Sequence, residues 1–315
     1  MNTPKHSVDE LKKEWVISSI DSTSASINGY KGTEHSITLP SQVGNRQITR
    51  IGERAFRPDS HKQFRKLYCE LTSVVIPEPI TFIGSMAFNN CQSLKEVVLP
   101  NTLNSIMYSA FENCRSLERI EIPSSVYSLD SGVFRECRNL TECIFHSHNT
   151  KLNGDTFFRC ESLKQLKVRE PDGTLTDHLI QTSMYRSYHY AFCGCTSLEL
   201  AKFAPDNEVV SEGIFYGCTS LKAVILPEST EYISANAFRE CESITHFSIP
   251  KAVKTIRNWA FGEMKNLELI DIFSPDVDID SSAFKGCQKV TFRSYKGSTT
   301  ELFCKENGFS FIPFD

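Results

Sequence analysis

The sequence predicts an α/β repeat solenoid, a right-handed curved stack of strand and irregular coil with one short β-strand in each 23-residue turn. Three observations carry this expectation. Ten phenylalanines, Phe56, Phe88, Phe111, Phe134, Phe157, Phe192, Phe215, Phe238, Phe261 and Phe284, recur every 23 residues apart from two longer gaps. The residues around them recur too, in the pattern Leu-x-x-Ile-x-Ile-Pro-x-x-Val-x-x-Ile-x-x-x-Ala-Phe-x-x-Cys. A proline closes most of the apolar runs, where a strand has to stop.

The pattern is clean in Leu94, Val97, Leu99, Pro100, Leu103, Ile106, Ala110, Phe111 and Cys114, and it returns at Leu117, Leu221 and Ile244. Its Leu-x-x-Ile-x-Ile run ends in the period-2 alternation of a strand, and the following proline has no N–H for a ladder. One such unit cannot bury its own apolar face, whereas stacked units share a continuous core. The gaps of 32 and 35 residues are the 23-residue period plus insertions of 9 and 12, near 57–68 and 170–186. Insertions in a solenoid lie on its surface, so both are candidate sites of function.

Terminal coils need a polar cover. Ser298 followed by Glu301 has the form of a capping box, Leu302 and Phe303 give an apolar face, and Gly308 is a stop signal, which together predict a helix over 299–307. Ser7 and Glu10 form a similar pair ahead of Leu11 and Trp15, so residues 1–14 are expected to be a tail or one short helix. Residues 15–293 are then a single solenoid domain and 294–315 its C-terminal cap.

The repeated Pro and the Ala-Phe-x-x-Cys signature resemble the BspA-like leucine-rich repeat family. Gly29-Tyr30-Lys31-Gly32 before Ile37-Thr38-Leu39-Pro40 is similar to that family's opening coil, and Tyr295-Lys296-Gly297-Ser298 through Glu306-Asn307-Gly308 to its closing segment. Two coils depart from the pattern by carrying His146 and Arg169 in place of the proline, and the pattern dissolves around Val290. The resemblance implies a leucine-rich-repeat-like stack and a bacterial cell-surface or secreted protein of adhesion type that engages host or neighbouring-cell components.

Composition narrows the alternatives. Hydrophobic content of 40% and charged content of 23% suit a folded chain, and a net charge of −4 argues against general nucleic-acid binding. No run approaches 18 apolar residues, so no membrane span is expected. The opening residues lack the apolar stretch of a signal peptide, so either the sequence begins after a removed signal or the chain is an intracellular scaffold, the second reading. Of twelve cysteines, Cys91, Cys114, Cys137, Cys160, Cys195, Cys218, Cys241 and Cys287 share one position of the repeat, and Met264 fills it once. A position that accepts Met is a core position, so free, buried thiols are expected rather than disulfides.

Catalytic signatures are absent: there is no phosphate-binding Gly loop, no His-Glu-x-x-His, no Gly-x-Ser-x-Gly and no Cys-x-x-Cys. No enzyme activity, cofactor or metal is expected. Cys193-Gly194-Cys195 has one spacer too few for a redox pair. Asp276-x-Asp278-x-Asp280 starts like a calcium loop, but Ser281 stands where Gly is needed and Cys287 where the bidentate Glu belongs. His146, His148, His178 and His189 are the set that would hold a metal if one bound, against their reading as ordinary surface histidines. Paired carboxylates for glycoside hydrolysis cannot be singled out among so many.

Binding is the expectation that remains. Side chains between the two core-facing positions of each strand point outward, giving the row Val75, Val98, Glu121, Ile144, Lys167, Lys202, Ile225, Ser248 and Asp271. A second row two residues earlier contains Leu200, Ala223 and His246. Two apolar patches result, Val75 with Val98, and Leu200 with Ala223 and Ile225, and such patches mark interaction surfaces. The longer insertion ends in Tyr185, Arg186, Tyr188, His189 and Tyr190, and Tyr and Arg are enriched at binding hot spots. The shorter one carries Arg57, His61, Lys62, Arg65 and Lys66, either a basic helix or a solvated flap. The expected ligand of this monomeric chain is a protein or glycan, with host extracellular components among the candidates.

Overall fold

The computed structural model of the chain describes residues 8–181 and 189–314. The chain forms a β-solenoid of about 12 turns. It packs as two compact units, one of residues 1–150 with 167–176, the other of residues 151–166 with 177–315.

In the first unit the predicted strands include Ser36–Thr38, Ser73–Val75, Glu96–Val98, Arg119–Ile122 and Glu142–Phe145. They pair in parallel within two sheets, mostly one repeat apart, Val74 opposite Val97 and Ile120 opposite Cys143. In the second unit Leu200–Lys202 pairs with Ala223–Ile225, and His246–Ile249, Leu269–Ile272, Thr291–Ser294 and Ser310–Pro313 form one parallel sheet. Among the described residues, coils also carry a second strand, often of two residues, ending at the next core position of the repeat: Phe82–Ile83, Ser105–Ile106 and Ser128–Leu129 in the first unit, Tyr232–Ile233 and Thr255–Ile256 in the second. A two-residue strand shows no alternation, so sequence periodicity passes over it.

The Ala-Phe turn completes each coil. Its backbone forms a ladder of its own, with Phe88 N–H donating to Ala110 O at 2.8 Å and Phe215 N–H to Ala237 O at 3.0 Å. Among the described residues, all thirteen non-glycine residues with positive φ lie two before or two after a ladder phenylalanine, from Arg54 at 55° to Glu263 at 58°. Two left-handed residues in most coils, and one at Phe56 and at Phe284, turn the chain sharply around a buried ring, although an L-residue is disfavoured there by roughly 1–2 kcal/mol. The ring stacks offset that cost. Phe56, Phe88, Phe111 and Phe134 follow one another at centroid distances of 4.8, 5.2 and 5.7 Å in the first unit. In the second, Phe157, Phe192, Phe215, Phe238, Phe261 and Phe284 do the same within 4.9–5.8 Å.

The cysteine ladder does more than fill space. Cys91 Sγ donates to Phe56 O at 3.2 Å, Cys114 to Phe88 O at 3.3 Å, Cys218 to Phe192 O at 3.1 Å and Cys241 to Phe215 O at 3.2 Å, so a thiol in one coil satisfies a buried carbonyl in the coil before. Met264 has no such donor to offer. All twelve cysteines are free.

At the C-terminal end the helix is Thr299–Asn307, with Ser298 as N-cap accepting from Glu301 N–H at 3.3 Å, Glu301 accepting from Gly297 N–H at 2.6 Å, and Gly308 left-handed at φ 74°. Near the N-terminus a helix runs over Val8–Glu14 and leads into Trp15–Ser19. The shorter insertion folds as two short 3-10 turns and the helix Arg65–Glu70. Tyr68 anchors it: the ring is fully buried, and its hydroxyl accepts from Tyr30 N–H at 2.9 Å and donates to Tyr30 O at 3.0 Å.

Candidate functional site

The outward rows follow the strand alternation, with two exceptions. Val98 is 45% exposed and Val75 half-buried, while Ile225 is 51% exposed, Ala223 exposed and Leu200 half-buried. Ile144 and Asp271, expected to point outward, are buried instead. Over Ile144, Arg169 reaches across the intervening strand to Glu121 at 3.1 Å, where Arg119 at 2.7 Å and His146 at 2.9 Å also converge. Arg169 and His146 sit where other coils have proline, so the departure from the repeat supplies the cover. Asp271 is held by two hydrogen bonds from Arg293, at 2.6 and 2.9 Å, and one with His246 at 2.9 Å.

The electrostatics follow from these contacts. Burial pushes both carboxyls up, but the Glu121 bonds to His146, Arg119 and Arg169 outweigh it, as do the Asp271 bonds to Arg293 and His246. Both acids are therefore held below the usual carboxylate range. These networks hold the polar side chains of the strand face in place.

Each predicted apolar patch coincides with an interruption of the strand ladder. In the first unit the sheet of Ser36–Thr38, Ser73–Val75 and Glu96–Val98 ends there, and Arg119–Ile122 begins another. A cleft of about 470 Å³ opens at this break, lined by Glu96, Val98, Glu118, Arg119, Glu121 and His146 among others, and Leu99, a core position elsewhere, is half-buried beside it. In the second unit Ala223–Ile225 and His246–Ile249 belong to different sheets, and Val224 and Leu226 are half-buried in the same way. The repeat sequence does not announce these breaks, because Leu94–Pro100 and Leu117–Pro123 fit the pattern equally well.

Of the insertion residues, Tyr185, Arg186 and Tyr188 lie outside the described residues. His189 and Tyr190 are half-buried and tied to the following coil: His189 Nδ1 is 3.2 Å from Glu212, and the Tyr190 hydroxyl donates to the same carboxylate at 3.1 Å. Burial and that carboxylate push the Tyr190 phenol up to about 12. His146 and His148 are engaged by Glu121 and Glu170, at 2.9 Å each, and His178 is buried. Asp280 accepts from the Ser282 backbone and hydroxyl at 2.8 and 2.6 Å. Among the described residues no group of three or more His, Cys, Asp or Glu is arranged to hold a metal ion. Cys195 Sγ is bonded to Phe157 O at 3.1 Å, while Cys193 is half-buried.

Solved structures to which the chain is similar include a leucine-rich repeat protein from Bacteroides ovatus, 20% identical, with 96% of this chain and 98% of that one covered and a TM-score of 0.40. A leucine-rich cell surface protein from Faecalibacterium prausnitzii is 22% identical over 92% of this chain and 95% of that one, with a TM-score of 0.37. The pneumococcal vaccine antigen PcpA is 17% identical over 96% of each chain, with a TM-score of 0.42. Comparison with curated proteins gives no match. Residues 60–185 and 186–309 match the BspA type leucine rich repeat region in six copies, and by that match over most of its length the chain belongs to the BspA-type leucine-rich repeat family.

Proposed function

We propose that the chain is a non-enzymatic recognition module of adhesion type, displayed on or secreted from a bacterial cell, which engages a protein or glycan ligand with its strand face. The observation that carries this reading is the coincidence of exposed apolar side chains with breaks in the strand ladder. At the first break Val98 stands between charged groups already fixed by ion pairs, a small apolar centre with a polar rim of the kind found at interfaces. At the second, Leu200, Ala223 and Ile225 form the apolar centre, with the Lys222–Glu199 pair at 3.0 Å and the Lys202–Asp177 pair at 2.6 Å beside it.

The twelve free cysteines, ten of them buried, favour a second reading as an intracellular scaffold, since secreted chains more often oxidise such residues. Among the described residues no helix is long and apolar enough to cross a membrane.

The test is surface plasmon resonance of the purified chain against a panel of extracellular-matrix proteins and mucin glycans, repeated with Val98→Arg and Ile225→Arg. A ligand whose affinity falls at least tenfold in one variant, with unchanged thermal unfolding, supports the reading. Equal binding by both variants, or silence across the panel, overturns it.

A further inference from the structure

A second groove lies apart from the strand-face breaks, in the first unit. The Ser36–Thr38 strand pairs with Ser73–Val75 on one side, and no described strand pairs with its other edge. His35 O accepts from Thr72 N–H at 2.7 Å and Leu39 N–H donates to Val75 O at 3.0 Å, so the odd-numbered residues face the neighbouring strand. In a parallel ladder the alternate residues face the other way, which turns the N–H and C=O groups of Ser36 and Thr38 toward the open edge.

That edge is one wall of a groove of about 670 Å³ that runs along residues 36–41. The opposite wall is rigid. Trp15 and Tyr30 are buried with their rings 4.6 Å apart, Tyr30 is held through its backbone by Tyr68, and Lys31 N–H donates to Glu14 O at 2.6 Å. The charges are one-sided: Glu10, Glu14 and Glu34 line the groove against a single lysine, Lys13. Burial raises the Tyr30 phenol above its ordinary value against the opposing hydrogen bond from Glu34 N–H, with the charges of Glu14 and Glu34 as smaller upward contributions.

We propose that this groove is a docking site for an extended segment of a partner protein bearing lysine or arginine, which adds to the sheet as a strand paired with Ser36 and Thr38. Strand addition to an exposed edge gains affinity from main-chain hydrogen bonds and specificity from alternate side chains. Here the groove lining offers apolar groups, Trp15 and Leu39, and acidic ones, Glu10, Glu14 and Glu34, to the side chains of the added strand. An exposed strand edge is ordinarily blunted by proline, charge or cover. The Ser310–Pro313 strand, an edge strand of the second unit, carries Pro313, whereas Ser36 and Thr38 keep both N–H groups. The inference concerns a different surface from the strand-face reading and stands without it.

The experiment uses the full chain and three capped heptapeptides: alternating Lys and Val, the same peptide N-methylated at alternate residues, and alternating Glu and Val. Isothermal titration calorimetry is expected to show binding of the Lys-Val peptide, a loss of at least tenfold on N-methylation because two or more main-chain bonds vanish, and no binding of the Glu-Val peptide. Thr38→Pro is expected to weaken binding about tenfold, and Glu14→Lys with Glu34→Lys to abolish it. The charge variants and the N-methylated peptide keep the test decisive should Thr38→Pro unfold. No binding of the Lys-Val peptide at millimolar concentration, or binding indifferent to N-methylation, overturns the proposal. So would a chain dimer in sedimentation that Thr38→Pro dissociates, since the edge would then belong to a second copy.

Discussion

Cys114 donates its thiol hydrogen to the carbonyl oxygen of Phe88, 3.3 Å away in the preceding coil, and six other ladder cysteines make the same bond to a phenylalanine. The thiol is thus a donor as well as a packing group. Cys218→Ala is expected to cost about 1–2 kcal/mol, the sum of a lost hydrogen bond and a small cavity, measured as a shift in the chemical unfolding midpoint. Burial pushes the Cys114 thiol well up and the Cys287 thiol up to about 11. The native chain should therefore react slowly with a thiol reagent at pH 8, while the denatured, unreduced chain should titrate twelve thiols.

The paired left-handed residues around most of the phenylalanines predict a backbone effect separable from packing. Gly217 has φ 73°, and a Cβ there would have only Gly194 near it, at 3.9 Å. Gly217→Ala is expected to destabilise the chain by about 1 kcal/mol through conformation alone, with a circular dichroism spectrum indistinguishable from that of the parent.

Tyr68 joins the first insertion to the Tyr30 backbone. Tyr68→Phe removes one acceptor and one donor from a buried site and is expected to cost about 1–3 kcal/mol, read from thermal unfolding. Limited proteolysis should then begin within residues 57–70.

Asp271 gives a pH dependence with a fixed sign. Its carboxyl is lower in the folded chain than in the unfolded one, so its contribution is present above the unfolded value near 3.9 and is lost as pH falls through the folded value. Between pH 5 and pH 2 the unfolding temperature of the parent should fall more steeply than that of Asp271→Asn. Parallel slopes would remove Asp271 from the acid response.

Much of the fold was legible because the repeat writes the same physical requirement many times. The strand run, the proline stop, the stacked rings and the 299–307 helix all follow from residues such as Leu94, Pro100, Phe111 and Ser298. Other features left no mark. The second strands are too short for periodicity, and the left-handed positions are held by Met86, Tyr190 and Trp259 as well as by Asn and Gly, so no turn signal appears. Tyr68 sits among Arg and Lys and reads as surface, while its hydroxyl satisfies a distant backbone. At the candidate site, the exposure of Val98 and Ile225 was visible in the alternation. The ladder breaks beside them depend on backbone pairing between coils of equivalent sequence, and the burial of Ile144 goes with Arg169 on the neighbouring strand reaching Glu121 on the far side.

The backbone bonds of the turn segment carry one more implication. Phe215 N–H meets Ala237 O and Phe238 N–H meets Ala260 O, the same offset of 22 positions each time. Between uninterrupted coils a donor therefore meets its acceptor at a fixed count, and across the two insertions at the equivalent position, Ala87 for Phe56 and Ala191 for Phe157. Excising 23 residues, such as 216–238, presents every severed donor with an equivalent acceptor, whereas excising 22 or 24 misaligns rings, thiols and carbonyls together. In the gene, length at such a locus is quantised: whole-repeat gains and losses are conservative edits, and the reach of the molecule can change without its chemistry being rewritten.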